Sequence, residues 1–156
     1  MATARGFTLI ELLVTLALLS LFATLALPLA ELSVKRTQEA ELRAALRQIR
    51  DALDAYKAAA DEGRVSVRVG ESGYPPDLAI LVEGVADTRD PEKRKIRFLR
   101  RIPRDPFADP SLRPEDGWGK RSYRSPHDQP RPGDDVFDVF SRSEEVGING
   151  VPYREW

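Results

Sequence analysis

The chain has no cysteine and only one histidine among its 156 residues. Without cysteine there are no disulfide staples, no thiolate zinc sites and no thiol chemistry, and a cysteine-free chain suits any redox compartment. His127 lies between prolines in SPHDQP, as a solvated loop residue, and no histidine-based metal cluster or triad can be built around it. An excess of charge is lacking too. Lys+Arg number 24 against Asp+Glu 25, a formal net charge of -1, so no global field points to nucleic acid or to an acidic substrate. No G-x-x-x-x-G-K, G-x-G-x-x-G, H-E-x-x-H or G-x-S-x-G occurs. Carboxylates are plentiful, but no pair suited to acid–base work stands out by its spacing, and no enzymatic activity is expected.

What the chain does have is distributed unevenly. Residues 7–30, FTLIELLVTLALLSLFATLALPLA, hold one charge, Glu11, while the residues after them hold nearly all the others and 11 of the 12 prolines. As a helix this segment reaches roughly 36 Å, enough to cross a hydrocarbon core of about 30 Å. Thr15, Ser20 and Thr24 are its only polar side chains after Glu11, and their hydroxyls can bond back to their own helix. Nothing later in the chain is apolar enough to surround such a helix in a soluble core. A conventional secretory signal is the competing reading, but the apolar stretch exceeds the usual h-region of about 7–15 residues. Pro28 removes one backbone donor and crowds the preceding turn, which predicts a kink or a partly unwound stretch over residues 22–28.

The pattern then changes. Leu42, Leu46, Ile49, Leu53 and Tyr56 form an apolar stripe of helical period, with charged residues on the other faces and Gly63 as the stop. A long helix is therefore predicted from about Phe7 to Asp61, apolar all round in its first half and amphipathic in its second. The stripe is expected to pack on the body of the same chain. Arg43, Arg47, Asp51 and Asp54 are expected on solvated faces, with subunit contacts as the alternative.

After Gly63 the signals are short. VSVRV (residues 65–69) alternates like a small strand, and YPPDLAILVEG reads as a short helix opened by Pro75 and Pro76 and closed by Gly84. ADTRDPEKRKIR reads as a solvated charge run. RRIPRDPFADPSLRPEDGWGKRSY reads as turns and an extended loop, with Trp118 and Tyr123 as packing anchors. DDVFDVFS (residues 134–141) is the best strand, and SYRS before it and PYREW after it are its candidate partners. The predicted fold is α+β: the amphipathic half of a long helix laid against a small antiparallel sheet. The acidic run Asp134, Asp135, Asp138, Glu144 and Glu145 offers oxygen ligands but lacks the spacing of an EF-hand, and it reads as an acidic surface loop.

A basic leader, a Gly6-Phe7 junction and an apolar helix with an acid four residues after the Phe resemble the class III signal of type IV pilins and type II secretion pseudopilins. GFTLIELLV carries that resemblance, and Pro28 falls where this superfamily has its helix-breaking proline. The body segments ALRQIRDALDAYKAAADEGRV, GYPPDLAILV and RFLRRIPRDPF are similar to the helix, the Y-P element and the Pro-x-Asp-Pro loop of the major pseudopilin. WGKRSY and DDVFDVFSRSEEVGINGVPYREW look like its terminal sheet, and the lack of cysteine fits a pseudopilin better than a disulfide-closed type IV pilin.

The resemblance implies a division into a leader (residues 1–6), a transmembrane and filament-core helix (7–30), an amphipathic helix (31–63) and a periplasmic pilin-like domain (64–156). It implies cleavage between Gly6 and Phe7 by a prepilin peptidase, N-methylation of Phe7, and assembly roles for Phe7, Glu11 and Pro28. The implied product is a single-pass inner-membrane protein of bacteria that polymerises into a periplasmic pseudopilus. Its partners would be copies of itself, minor pseudopilins, the peptidase, an inner-membrane assembly platform and membrane lipid, with no nucleic acid. The alternative within the superfamily is a type IV pilin serving adhesion, motility or DNA uptake. From another class, the alternative is a periplasmic domain on an ordinary uncleaved anchor. The major pseudopilin family also carries an acidic doublet that helps bind calcium near the C-terminus. VGINGVPYREW has none, and ADPSLRPEDG lengthens the loop after Phe107. Calcium is thus a possible cofactor, with Ser141, Glu144 and Glu145 as its candidate ligands.

Overall fold

A computed structural model describes residues 6–156, leaving the side chains of residues 25–27 undescribed. The leader expected over residues 1–6 therefore lies outside the described residues except for Gly6. The chain forms two compact units, Met1–Thr37 and Gln38–Trp156.

Helix α1 spans Leu9–Asp61. In the first unit it leaves every described side chain from Gly6 to Glu31 exposed. The hydroxyls of this stretch turn inward to the helix: Thr15 Oγ1 donates to the Leu12 carbonyl at 2.9 Å, Ser20 Oγ to Leu16 at 2.8 Å and Thr24 Oγ1 to Leu21 at 2.7 Å. These three hydroxyls thus do not interrupt the apolar surface between Glu11 and Glu31. The unwinding expected over residues 22–28 is not seen, and α1 runs unbroken through Pro28. Losing one donor leaves the neighbouring turns bonded, so a proline removes a rung without dissolving the ladder.

In the second unit the stripe is buried as its spacing predicts. Leu42, Ile49 and Leu53 are fully buried, with Leu46, Tyr56 and the small residues Ala45, Ala52 and Ala59 beside them. They pack with Leu78, Leu81, Leu99, Trp118, Val136, Val139 and Tyr153 in one core. Helix α1 ends where Gly63 takes a positive φ of 68°. The Arg64 amide reaches back to the Ala59 carbonyl at 2.8 Å, which satisfies an orphan carbonyl of the last turn.

The short elements depart from the sequence in instructive ways. VSVRV is not a strand: only Val65 is buried, Val67 and Val69 face solvent, and no ladder among the described residues includes it. The short helix α2 starts late, at Ala79–Glu83, with the Asp77 carboxylate accepting from the Ala79 amide. Gly84 ends it at φ 78°. The charge run is more than a solvated face. Strand β1 (Val85–Ala86) pairs antiparallel with β2 (Lys95–Ile96), and between them the buried Asp87 receives Arg64 Nη2 at 2.8 Å.

Strand β4 covers only Asp138–Ser141, and its antiparallel partner β3 is Trp118–Arg121, with Trp118 opposite Ser141 and Arg121 opposite Asp138. SYRS turns away after β3, with the Ser125 amide bonded to the Ser122 carbonyl. PYREW adds no strand. Val146 and Pro152 make one isolated bridge, and Tyr153–Glu155 form a 3-10 turn. The reason lies in burial: WGKR places Trp118 and Gly119 inward beside the core, whereas Tyr123 and Arg124 are exposed. Trp118 is the anchor expected, its Nε1 donating to the Pro103 carbonyl at 2.9 Å. Tyr123 is not; it is 58% exposed. The fold is α+β, a long helix with two small antiparallel sheets.

Candidate functional site

The N-terminal segment is built around one local device. Thr8 immediately precedes α1, and Glu11 is its third residue. The Glu11 amide donates to Thr8 Oγ1 at 3.3 Å, and the Thr8 amide and hydroxyl donate to Glu11 Oε2 at 3.3 and 3.4 Å. This is the reciprocal capping box of a T-x-x-E sequence, which satisfies donors that a helix start leaves orphaned. The carboxylate also sits where the helix dipole favours an anion. Glu11 thus has a role inside its own chain, at the head of the apolar helix. The signal for this cap is in the sequence TLIE, a Thr three residues ahead of a Glu at the start of an apolar run.

Around that cap lie Gly6, where an added Cβ would meet no described atom within 4 Å, and Phe7, which is 82% exposed. The Gly6-Phe7 junction is accessible, ahead of the first helical turn. Pro28 is exposed, inside the helix. The structure therefore gathers Phe7 and Glu11 at one end and leaves Pro28 far along the same helix.

The calcium candidates do not come together. Ser141 is fully buried, and its hydroxyl donates to Asp105 Oδ2 at 2.6 Å. Glu144 and Glu145 are exposed, and the Glu145 amide donates to Ser143 Oγ. The acidic residues nearby are engaged elsewhere: Asp138 pairs with Arg50 and Arg121, and Asp135 accepts from Ser72 and from the Tyr123 amide. Among the described residues no three His, Cys, Asp or Glu side chains gather to hold a metal ion. As placed, Ser141, Glu144 and Glu145 do not form an oxygen cage for calcium.

Charged residues on the other faces of α1 fasten the end of the chain. Glu39 is 4% exposed and accepts from the Ile148 amide at 2.6 Å and from the Tyr153 hydroxyl at 3.2 Å. Arg43 pairs with Glu39 at 3.7 Å and lies over the Trp156 ring at 4.2 Å. Arg50 holds Asp138 at 2.8 Å and the Trp156 carbonyl at 2.8 Å. Burial, and then the bond to Glu39, push the Tyr153 hydroxyl up to about 12. Arg43, Arg47, Asp51 and Asp54 all lie exposed, as expected, and Arg43 reaches the chain's end from there.

Residues 1–27 match the family model described as the prokaryotic N-terminal methylation motif. No curated protein and no solved structure matched the chain. The motif supports a type IV pilin-like protein, a class of structural subunits, and it implies processing by a prepilin peptidase and assembly into a pilus-like polymer. Helix α1 is long and apolar enough to cross a membrane, and with the motif this supports membrane anchoring.

Proposed function

We propose that this chain is a structural subunit of a type II secretion pseudopilus, anchored in the bacterial inner membrane by residues 7–30 and assembled into a periplasmic filament that promotes protein export. The observation that carries the reading is the Gly6-Phe7 junction directly ahead of a capped apolar helix with every described side chain from Gly6 to Glu31 exposed. An apolar helix with nothing of its own chain around it suits lipid first and neighbouring subunits afterwards. The body supports the pseudopilin over a type IV pilin through its cysteine-free composition and its RRIPRDPF and DDVFDVFS segments. No catalysis is required of it; the assembly platform and its partners supply the work.

Cleavage after Gly6 would create a cationic amine on Phe7. In a packed filament the Glu11 carboxylate of one subunit would neutralise the Phe7 amine of the next, since an intramembrane acid calls for a named partner. Pro28 would contribute by leaving one helix rung open for adjustment on assembly.

Co-expression with a prepilin peptidase and mass spectrometry of the product tests the first step. An N-methylated Phe7 is expected, and an unprocessed chain overturns the reading. Glu11→Gln and Glu11→Val separate two roles of the acid. Glutamine keeps the capping box and removes the charge, whereas valine removes both. Both variants should insert and be cleaved yet fail to enter filaments. Wild-type assembly by Glu11→Gln would leave Glu11 as a helix cap alone. In the native host, loss of the chain should stop export of folded proteins and spare motility and DNA uptake; the reverse phenotype would indicate a type IV pilin.

A further inference from the structure

A cleft of about 860 Å³ opens on the second unit, remote in sequence from the N-terminal motif. It is lined by residues of the loop from Ser66 to Pro76, by residues 122–124 and 133–135, and by Tyr56 and Ile80. Its construction is specific. Asp135 ties the walls together, its two oxygens accepting from the Ser72 hydroxyl and, at 2.8 Å, from the Tyr123 amide. Beside the lining residues Tyr74, Pro76 and Asp135, the Val136 amide donates to the Pro75 carbonyl at 2.8 Å.

The cleft is lined by aromatic rings whose polar ends are left over. Tyr74 and Tyr123 lie nearly parallel, 5.9 Å apart and 24° between planes. Each meets the Phe137 ring edge-on, at 5.0 and 5.5 Å, and Arg121 lies 4.6 Å from that ring on its own account. Tyr123 is 58% exposed although two rings, Tyr74 and Phe137, hold it in place. The hydroxyls of Tyr56, Tyr74 and Tyr123 make no hydrogen bond to another described residue. Burial raises Tyr56 and Tyr74 above the ordinary tyrosine range, so both remain neutral groups that donate and accept. Ser66 adds another hydroxyl to the lining.

We propose that this cleft binds a neutral oligosaccharide. A sugar ring offers an apolar C–H face for an exposed aromatic ring and a rim of hydroxyls that both donate and accept, which is the complement of this lining. Charge argues against the anionic classes. Arg68 and Arg124 are outnumbered by Glu71, Asp134 and Asp135, so no concentrated cationic field awaits a phosphate or a nucleic acid. A proline-rich peptide is the nearest rival, because such segments also dock on aromatic grooves. It presents mainly carbonyl acceptors, and it would leave the acceptor half of each hydroxyl unused. The rings are fixed before any ligand arrives, which lowers the entropy cost of binding. The proposal stands on the geometry of the second unit and does not depend on the filament reading.

The test titrates the full chain in micelles of a sugar-free amine-oxide detergent with cellotetraose, chitotetraose and maltotetraose, followed by saturation-transfer NMR and calorimetry. Saturable binding of at least one probe is expected, with Tyr123→Ala weakening it at least about tenfold. Tyr123→Phe, which keeps the stacking ring, should lose less, and near-ultraviolet dichroism checks that each variant remains folded. Binding of none of the three probes overturns the proposal, as does binding unaffected by Tyr123→Ala. Saturable binding of decaproline in their place, lost in Tyr123→Ala, overturns it in favour of a peptide.

Discussion

Residues 9–30 and residues 38–61 belong to one helix, yet Leu16 in the first stretch is 58% exposed and Leu53 in the second is fully buried. The helical ladder is the same in both; what differs is where the apolar side chains stand around the axis. In the second stretch they recur every three or four residues and one face meets a core. In the first they occupy all faces, and no core of the same chain could cover them. Backbone regularity therefore says little about environment, and the angular distribution of leucines says nearly everything.

The sharpest way to break this comparison is to make the same substitution in each stretch. Leu53→Ala should destabilise the fold by about 2–5 kcal/mol, because it opens a cavity among Ile49, Leu78 and their neighbours. Leu16→Ala should leave thermal unfolding, followed by the near-ultraviolet signal of the buried Trp118, unchanged. Gly84→Ala comes next. A Cβ there would lie 2.6 Å from the Ile96 carbonyl oxygen at a φ of 78°, so a loss of about 1–3 kcal/mol is expected in denaturant titrations. Arg50→Ala removes the clamp on Asp138, Val139 and Trp156. It should cost about 1–3 kcal/mol and raise hydrogen exchange near the end of the chain.

Tyr153 provides a smaller and pH-dependent effect. Its hydroxyl is raised from 10.0 to about 12, so the folded chain keeps a proton that the unfolded chain gives up first. The contribution is fully present below pH 10.0 and is lost as pH rises to about 12. Alkaline unfolding should accordingly steepen in that window, and Tyr153→Phe should flatten it. The smallest effect concerns calcium. Millimolar calcium should leave the melting temperature where it was, and a clear rise would show that Ser141, Glu144 or Glu145 takes part in a site after all.

The buried stripe of α1, its end near Gly63, the exposed apolar segment and the strand ending at Ser141 were legible in the sequence. Each is a matter of period, length or a local residue preference. The hairpin from Val85 to Ile96 was hidden, because each strand has only two residues and its hydrogen bonds leave no periodicity to read. The partner of β4 was displaced by a few residues, since SYRS and WGKR differ little in strand propensity and burial of Trp118 decides between them. The capping box was legible in TLIE, whereas the burial of Glu39 beside Ile148 and Tyr153 was not.

By itself the sequence determined the long helix, the environment suited to each of its halves, and the accessible Gly6-Phe7 junction at its head. These follow from interactions within a few residues of one another, or from composition alone. Only the tertiary structure decided which charged residues of α1 face solvent and which hold the chain's end. It alone brought Tyr56, Tyr74 and Tyr123 to one cleft, and it buried Ser141 while leaving Glu144 exposed. Those outcomes depend on pairing residues up to 114 positions apart, as Glu39 and Tyr153 are, and distance along the chain carries no information about such pairs.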